Sequence, residues 1–291
     1  VAEAVMRVQR DEGNRSVRKH ARLKYTIERM GLTAFQAEVE RHLGYALAPA
    51  HGFAFTGTGD RSGWSQSPDQ TWQYGLFVEN GRVHDLPDRR LLSGLRAIAN
   101  VHRGEFVMTA NQNLIIAGVA PEDKADIHSL LLQYGLEEGA SALRQASMAC
   151  VALPTCGLAL AESERYLPDL VTKLDALMAE AGLAGDEVVF RMTGCPNGCA
   201  RPYLAEVALV GRGPGRYHLY LGGAFDGTRL NKLYRRDVDH AGVLAALTPL
   251  LHGWAAGRLP GEHFGEWVIR AGHVAATLAG NQFHADVADA A

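Results

Sequence analysis

Four cysteines are the residues of this 291-residue chain whose type and spacing can do chemistry. Cys150 and Cys156 form a C-x5-C pair, Cys195 and Cys199 form a C-x3-C pair, and 38 residues lie between the pairs. Three readings fit that spacing. Structural zinc usually takes C-x2-C to C-x4-C knuckles, and C-x5-C is loose for one. An iron–sulfur cluster takes four thiolates and tolerates varied spacing. Buried free thiols are the third reading. Disulfides need an oxidising compartment, and the opening VAEAVMRVQRDEG lacks the apolar core of an export signal. The expected compartment is the cytoplasm.

The neighbours of the cysteines are turn formers. In MTGCPNGCARPY, Gly194, Pro196, Gly198 and Pro202 predict a tight, rigid turn, whose backbone N–H groups can hydrogen-bond cluster sulfurs. In SMACVALPTCGLAL, Pro154 and Gly157 break regular structure, and Thr155 is placed to cap a following helix. Asn111, Gln112 and Asn113 stand between two apolar runs. They read either as a turn cap or as neutral donors presented to a polar ligand. Gly222 and Gly223 read as a strand-end turn. The 12 histidines are scattered without HExxH spacing and read as surface or core residues. There is no GxxxxGK[ST] phosphate loop, and GRGPG at 211–215 is interrupted by Pro214, so nucleotide binding in the Rossmann manner is not expected.

These residues must be held by a scaffold. Leu23, Ile27 and Met30 predict a helix stopping at Gly31, and Thr33 with Gln36 reads as the capping box of a second helix ending near Gly44. The two have little core of their own and are expected to pack on something outside the chain. Residues 48–70 read as loop. TWQYGLFVE and RVHDL flank Asn80-Gly81, a hairpin signal. A helix carrying Leu91, Leu95 and Ile98, strands FVMTA and LIIAGV, and a helix over 121–134 complete a ββαββα layer with an antiparallel sheet. From about residue 140 the pattern continues with a helix over 162–181 and the strands VVFRMT, EVALVG and RYHLYLGG. A helix over 243–257 and a last strand, EWVIRA, complete it. The expected fold class is α+β, with the cysteines on loops at one end of a sheet.

Composition limits the function classes. With 47% hydrophobic and 21% charged residues the chain has a core to bury, and disorder is excluded as its main state. No run approaches the ~18 apolar residues of a membrane span. The net charge of −3 argues against a nucleic-acid binder. Arg7, Arg10, Arg15, Arg18, Lys19, Arg22, Lys24 and Arg29 nonetheless form a basic stretch, read either as a solvated helix end or as the face of an anion. The opening reads as the interior of a helix, with the expectation that the chain starts inside a larger protein, and the closing GNQFHADVADAA reads as a frayed tail.

The C-x5-C pair followed by TGCPNGC is similar to the cluster motif of the sirohaem-dependent sulfite and nitrite reductases. The runs GNRSVRKHARLKYTIERMG, ENGR, TANQNLIIAG, SMACVALPTC, AEVALVG and PGRYHLYLGG resemble the assimilatory sulfite reductase hemoproteins over nearly the whole chain. The resemblance implies that Cys150, Cys156, Cys195 and Cys199 hold a 4Fe–4S cluster and that the Cys199 sulfur also bridges to a sirohaem iron, which makes Cys199 the catalytic ligand. It implies six-electron reduction of sulfite to sulfide, or of nitrite in its sister enzymes. The electron donor would be a flavoprotein or a ferredoxin, with no nucleic acid and no membrane involved. It gives the basic residues Arg22 and Lys24, and the carboxamides Asn111, Gln112, Asn113 and Asn197, an anionic macrocycle to bind. On this reading residues 1–47 are a helical remnant of a preceding domain. Residues 48–138 are a ferredoxin-like half-domain, and 139–291 the cluster and sirohaem domain. Family members are about twice as long. The N-terminal half, which supplies most of the Arg and Lys that grip sulfite, has no counterpart here.

Overall fold

In the computed structural model, which describes residues 1–53, 55–137 and 139–279, the chain divides into two units, Val1–Ala54 and Phe55–Ala291. The closing run GNQFHADVADAA lies outside the described residues.

The first unit is helical: α1 (Ala2–Glu12), α2 (Leu23–Met30) and α3 (Leu32–Leu43). Ala4 and Val8 on α1 and Phe35 and Val39 on α3 each repeat at four residues, so each pair shares one helix face. Together they form a small core, with Leu23, Ile27 and Met30 packed against it. Helices α2 and α3 were expected to have little core of their own, and α1 supplies the third wall of the small one they share. The capping box is corrected. Gly31 ends α2 and opens α3 directly, so Thr33 lies inside the first turn, and Gln36 donates to Glu40 instead.

The second unit begins with β1 (Gly63–Gln66), β2 (Trp72–Leu76), α4 (Leu91–Val101), β3 (Glu105–Met108), β4 (Leu114–Val119) and α5 (Lys124–Gln133). The strands form an antiparallel sheet in the order β1-β2-β4-β3. Tyr74, Leu76 and Ile116 from the sheet meet Leu91 and Ile98 of α4 and Ile127 and Leu131 of α5. Full burial of each aliphatic side chain contributes about 1.5–3 kcal/mol. The ββαββα order holds, but its first hairpin is β1–β2 and not the one expected around Asn80-Gly81. Asn80 and Gly81 do adopt positive φ, 51° and 71°. The chain beyond them cannot pair with β2, because β1 and β4 already occupy its two edges.

The remainder comprises α6 (Ala142–Ala146), β5 (Ser147–Ala149), α7 (Leu167–Glu180), β6 (Phe190–Thr193), β7 (Val207–Gly213), β8 (Arg216–Leu221), β9 (Lys232–Val238), α8 (His240–Gly257) and α9 (Phe264–Arg270). The sheet runs β5-β6-β7-β8-β9; β5, β6 and β7 are mutually parallel, and β7, β8 and β9 antiparallel. One face buries Phe190, Met192, Leu209 and Leu219 under Leu170 and Leu174 of α7 and Leu247 and Trp254 of α8. The other buries Val189, Ala208, Val210, Tyr220 and Leu233.

Two expectations fail in this part. EWVIRA is helical: Phe264 and Val268, four residues apart, bury the same face of α9, and Phe264 packs edge-on to Trp254 at 5.7 Å. No helix follows Thr155 directly; residues 153–160 form turns, and α7 opens at Leu167 with a proline in its first turn.

Candidate functional site

Parallel pairing of β5 with β6 sets Ala149 opposite Met192, so both strands end at the same edge of the sheet. Cys150 follows β5 immediately and Cys195 follows β6 by two residues. Each pair therefore begins at a strand end and continues into a loop, where a rigid scaffold commonly presents functional groups.

Backbone hydrogen bonds lock the two loops together. Cys150 N–H donates to Met192 O at 3.1 Å, and Gly194 N–H donates to Cys150 Sγ at 3.3 Å. Gly194 O accepts from both Leu160 N–H (2.8 Å) and Ala161 N–H (3.0 Å). This crossing point has no room for a side chain. A β-carbon on Gly194 would stand 2.6 Å from Ala152 Cβ and from Ala161 O, and one on Gly211 would stand 2.3 Å from Gly194 O. Within the loops Cys156 N–H donates to Ala152 O at 2.7 Å and Arg201 N–H to Gly198 O at 2.9 Å.

The four thiols are free of disulfides. Cys195 is buried, Cys150 and Cys156 are half-buried and Cys199 is exposed. Burial pushes the Cys150 thiol above its ordinary range, against the opposing hydrogen bonds of Gly194 N–H and the Ser163 hydroxyl. Among the described residues no three His, Cys, Asp or Glu side chains converge on a single-ion site. The candidate donor set is all sulfur, the set that a 4Fe–4S cluster takes.

The antiparallel sheet reaches over to hold these loops. Gln112, at the β3–β4 turn, donates through Nε2 to Ala149 O at 2.9 Å, one residue before Cys150. Asn111 Oδ1 accepts from Arg201 Nη2 at 2.8 Å, and Ala110 O accepts from the same nitrogen at 2.9 Å. Asn113 donates to Asp60 at 2.9 Å and accepts from Val78 N–H at 2.9 Å. At the far end of the first loop Glu164 N–H donates to Cys150 O at 3.1 Å. The buried Glu164 carboxylate pairs with Arg82, and its carbonyl accepts from Asn80 Nδ2 at 3.2 Å. ENGR is thus a clamp on the first cysteine loop. Two buried polar atoms beside the loops, Gln112 Oε1 and Thr193 Oγ1, have no hydrogen-bond partner among the described residues. An orphaned buried polar atom costs ~1–3 kcal/mol, so each is a place where a bound group gains a contact.

Asn197 is exposed within the C-x3-C turn. Arg22 precedes α2, and Lys24 sits over the Tyr25 ring at 4.8 Å, both exposed in the first unit. Part of the basic stretch is satisfied locally, Arg7 by Glu3 and Arg10 by Asp11.

Sequence reasoning missed Asp60, Arg191 and Arg201. Arg191, in β6, is a buried guanidinium whose pKa falls to about 10 through burial and the neighbouring Arg201, with Asp60 and Glu187 opposing. Arg201, two residues beyond Cys199, carried a signal in its position. Asp60, in a loop of Gly, Ser and Thr, carried none.

Comparison with known proteins places the chain among relatives of one kind. Residues 1–47 match the family model described as the nitrite and sulphite reductase 4Fe-4S domain, and residues 65–134 match the nitrite/sulfite reductase ferredoxin-like half domain. The chain is 59% identical over 285 residues to the sulfite reductase (NADPH) hemoprotein beta-component of Methylobacterium radiotolerans, covering 98% of this chain and 46% of the relative. It is 57% identical over 286 residues to the protein of the same description from Chromohalobacter salexigens, covering 98% of this chain and 50% of the relative. The chain thus spans about half the length of these relatives. Among solved structures, the Mycobacterium tuberculosis NirA protein superposes with a TM-score of 0.78 at 25% identity, covering 93% of this chain and 51% of that one. Two models of one family are matched in chain order, and more than half of the chain's residues are shared with these relatives along nearly its whole length, so the chain is similar to the corresponding half of the nitrite and sulfite reductases.

Proposed function

We propose that this chain is the cofactor-carrying part of a sulfite reductase hemoprotein. In that role Cys150, Cys156, Cys195 and Cys199 hold a 4Fe–4S cluster. The relatives' description as a sulfite reductase hemoprotein supports sulfite as the substrate, and nitrite is the alternative within the family. The reaction would be six-electron reduction of sulfite to sulfide in sulfur assimilation and cysteine biosynthesis. Electrons would come from a flavoprotein partner or a ferredoxin, and the setting would be the cytoplasm. Among the described residues no helix is long and apolar enough to cross a membrane.

The observation that carries the proposal is the pair of cysteine loops fixed at one sheet edge with four free thiols. The exposure gradient gives the cysteines different roles. Cys195 is enclosed and Cys199 exposed, which supports Cys199 as the thiolate that would also meet the sirohaem iron. When bound, the joined cofactors supply a short electron path to the substrate. The chain's own residues fix that path: Gly194 N–H stabilises negative charge on the Cys150 sulfur, and Gln112 holds the backbone from which Cys150 projects. Much of the sulfite-binding surface is assigned to the part of the relatives this chain does not span, so turnover requires that part.

Anaerobic purification from a sirohaem-producing host tests the proposal, with absorption spectra and counts of iron, acid-labile sulfide and zinc. Haem-type bands with about four non-haem irons and sulfides per chain are expected. A zinc-loaded or metal-free folded chain would refute the cluster assignment.

A further inference from the structure

The Asn111 carboxamide uses its whole hydrogen-bonding capacity inside the protein. Its oxygen accepts from Arg201 Nη2 at 2.8 Å and from Arg191 Nη2 at 3.4 Å. Its nitrogen donates to Thr58 O at 2.8 Å and to Asp60 Oδ1 at 3.2 Å. An amide offers two acceptor and two donor positions, and all four are taken. The partners come from three separate segments: the loop at 58–60, strand β6, and the residue two places beyond Cys199. Arg201 itself adopts the left-handed conformation, with φ 54° and ψ 47°, which a residue with a β-carbon holds only when its surroundings impose it. Arg201 also bonds Ala110 O, so its guanidinium bridges the backbone and side chain of the β3–β4 turn.

We infer that Asn111 is a positioning residue: through Arg201 it braces the Cys195–Cys199 loop against the antiparallel sheet, and so governs how firmly that loop keeps its iron. The inference rests on the cluster reading above. It gives Asn111 a part separate from contact with any macrocycle, because neither of its N–H groups is left over. Gln112 differs, because its Oε1 has no hydrogen-bond partner among the described residues.

Two variants separate the brace from a local folding effect. Asn111→Leu keeps the size of the side chain and removes all four bonds. Arg201→Gly removes the guanidinium and at the same time relieves the left-handed backbone, so a residue kept only for its conformation would tolerate it. Arg201→Lys keeps a cationic donor. The 291-residue chain is loaded anaerobically, and iron release to a chelator is followed together with the electron paramagnetic resonance of the reduced cluster. Asn111→Leu and Arg201→Gly are expected to release iron about tenfold faster, the scale of effect for groups that orient metal ligands. Their spectra should be altered, while Arg201→Lys stays near the parent. Circular dichroism of the cluster-free proteins checks the fold. Should Asn111→Leu fail to fold, Arg201→Gly, at an exposed and strained position, still decides. Release rates and spectra equal to the parent's in a loaded protein would overturn this inference alone. A parent without iron and sulfide would overturn the cluster reading and this inference with it.

Discussion

The backbone N–H of Gly194 points at the sulfur of Cys150, 3.3 Å away, across the ends of two parallel strands. Each cysteine pair is therefore fixed partly by the other pair's loop. The second loop supplies the hydrogen bond, and the first loop supplies the two amides that bind Gly194 O.

Any side chain at Gly194 should break this contact. The Gly194→Ala methyl would stand 2.6 Å from Ala152 Cβ and Ala161 O, one of them backbone. A destabilisation of about 1–3 kcal/mol is expected for such overpacking. Urea unfolding of the cluster-free chain measures it, and an unchanged midpoint would mean that the loops relax freely.

Thiol reactivity in the cluster-free chain should follow exposure. Cys199 is expected to alkylate first, Cys156 and Cys150 later, and Cys195 last. Burial raises the Cys150 pKa, so its thiolate, the reactive form, appears at higher pH than that of an ordinary thiol. Mass spectrometry of timed labelling at two pH values reads both effects. Rapid labelling of Cys195 would contradict the buried turn.

Arg82 should matter to the first cysteine loop although it lies far from it in sequence. Arg82→Ala leaves the buried Glu164 carboxylate without its cation. A loss of about 1–3 kcal/mol is expected, because Arg82 is itself partly exposed and the pair is partly screened. Thermal unfolding reports it, and Glu164→Gln in the same background should recover part of the loss by removing the unpaired charge.

Glu206 sets a pH dependence. It is fully buried, and its oxygens accept from Val189 N–H and Gly265 N–H, each at 2.8 Å. Burial pushes its pKa from 4.5 to about 8. The folded protein therefore holds this proton where the unfolded chain has released it. Its contribution to stability is present below about pH 4.5 and is lost as pH rises toward about 8. Chemical unfolding across that range should show the decline, and Glu206→Gln, which cannot titrate, should flatten it while losing one backbone bond. An equal slope in the variant would assign the decline to other groups.

The cysteine loops were legible because turn formers and ligands leave their marks locally: Gly194, Pro196 and Gly198 bend the chain wherever it sits. The strands around them were legible too, as apolar runs such as VALVG. What stayed hidden depended on partners distant in sequence. EWVIRA has the composition of a strand, and only the wall formed by Trp254 makes it a helix. Asn80-Gly81 has the chemistry of a hairpin and its positive φ angles, but both edges of β2 were already taken. Strand β9 was missed because KLYRRDV exposes three consecutive charged residues at the sheet edge and buries only Leu233. The brace through Asn111 needed Asp60 and Arg201, 51 and 90 positions away, and no local pattern connects them.

The shared carbonyl of Gly194 makes the two cysteine loops one cooperative unit. Opening the first loop frees an acceptor in the second, and lifting the second leaves two donors of the first without their acceptor. The amides of Leu160, Ala161 and Gly194 should therefore exchange with solvent together, at one rate. The two cysteine loops should therefore open and close as one step.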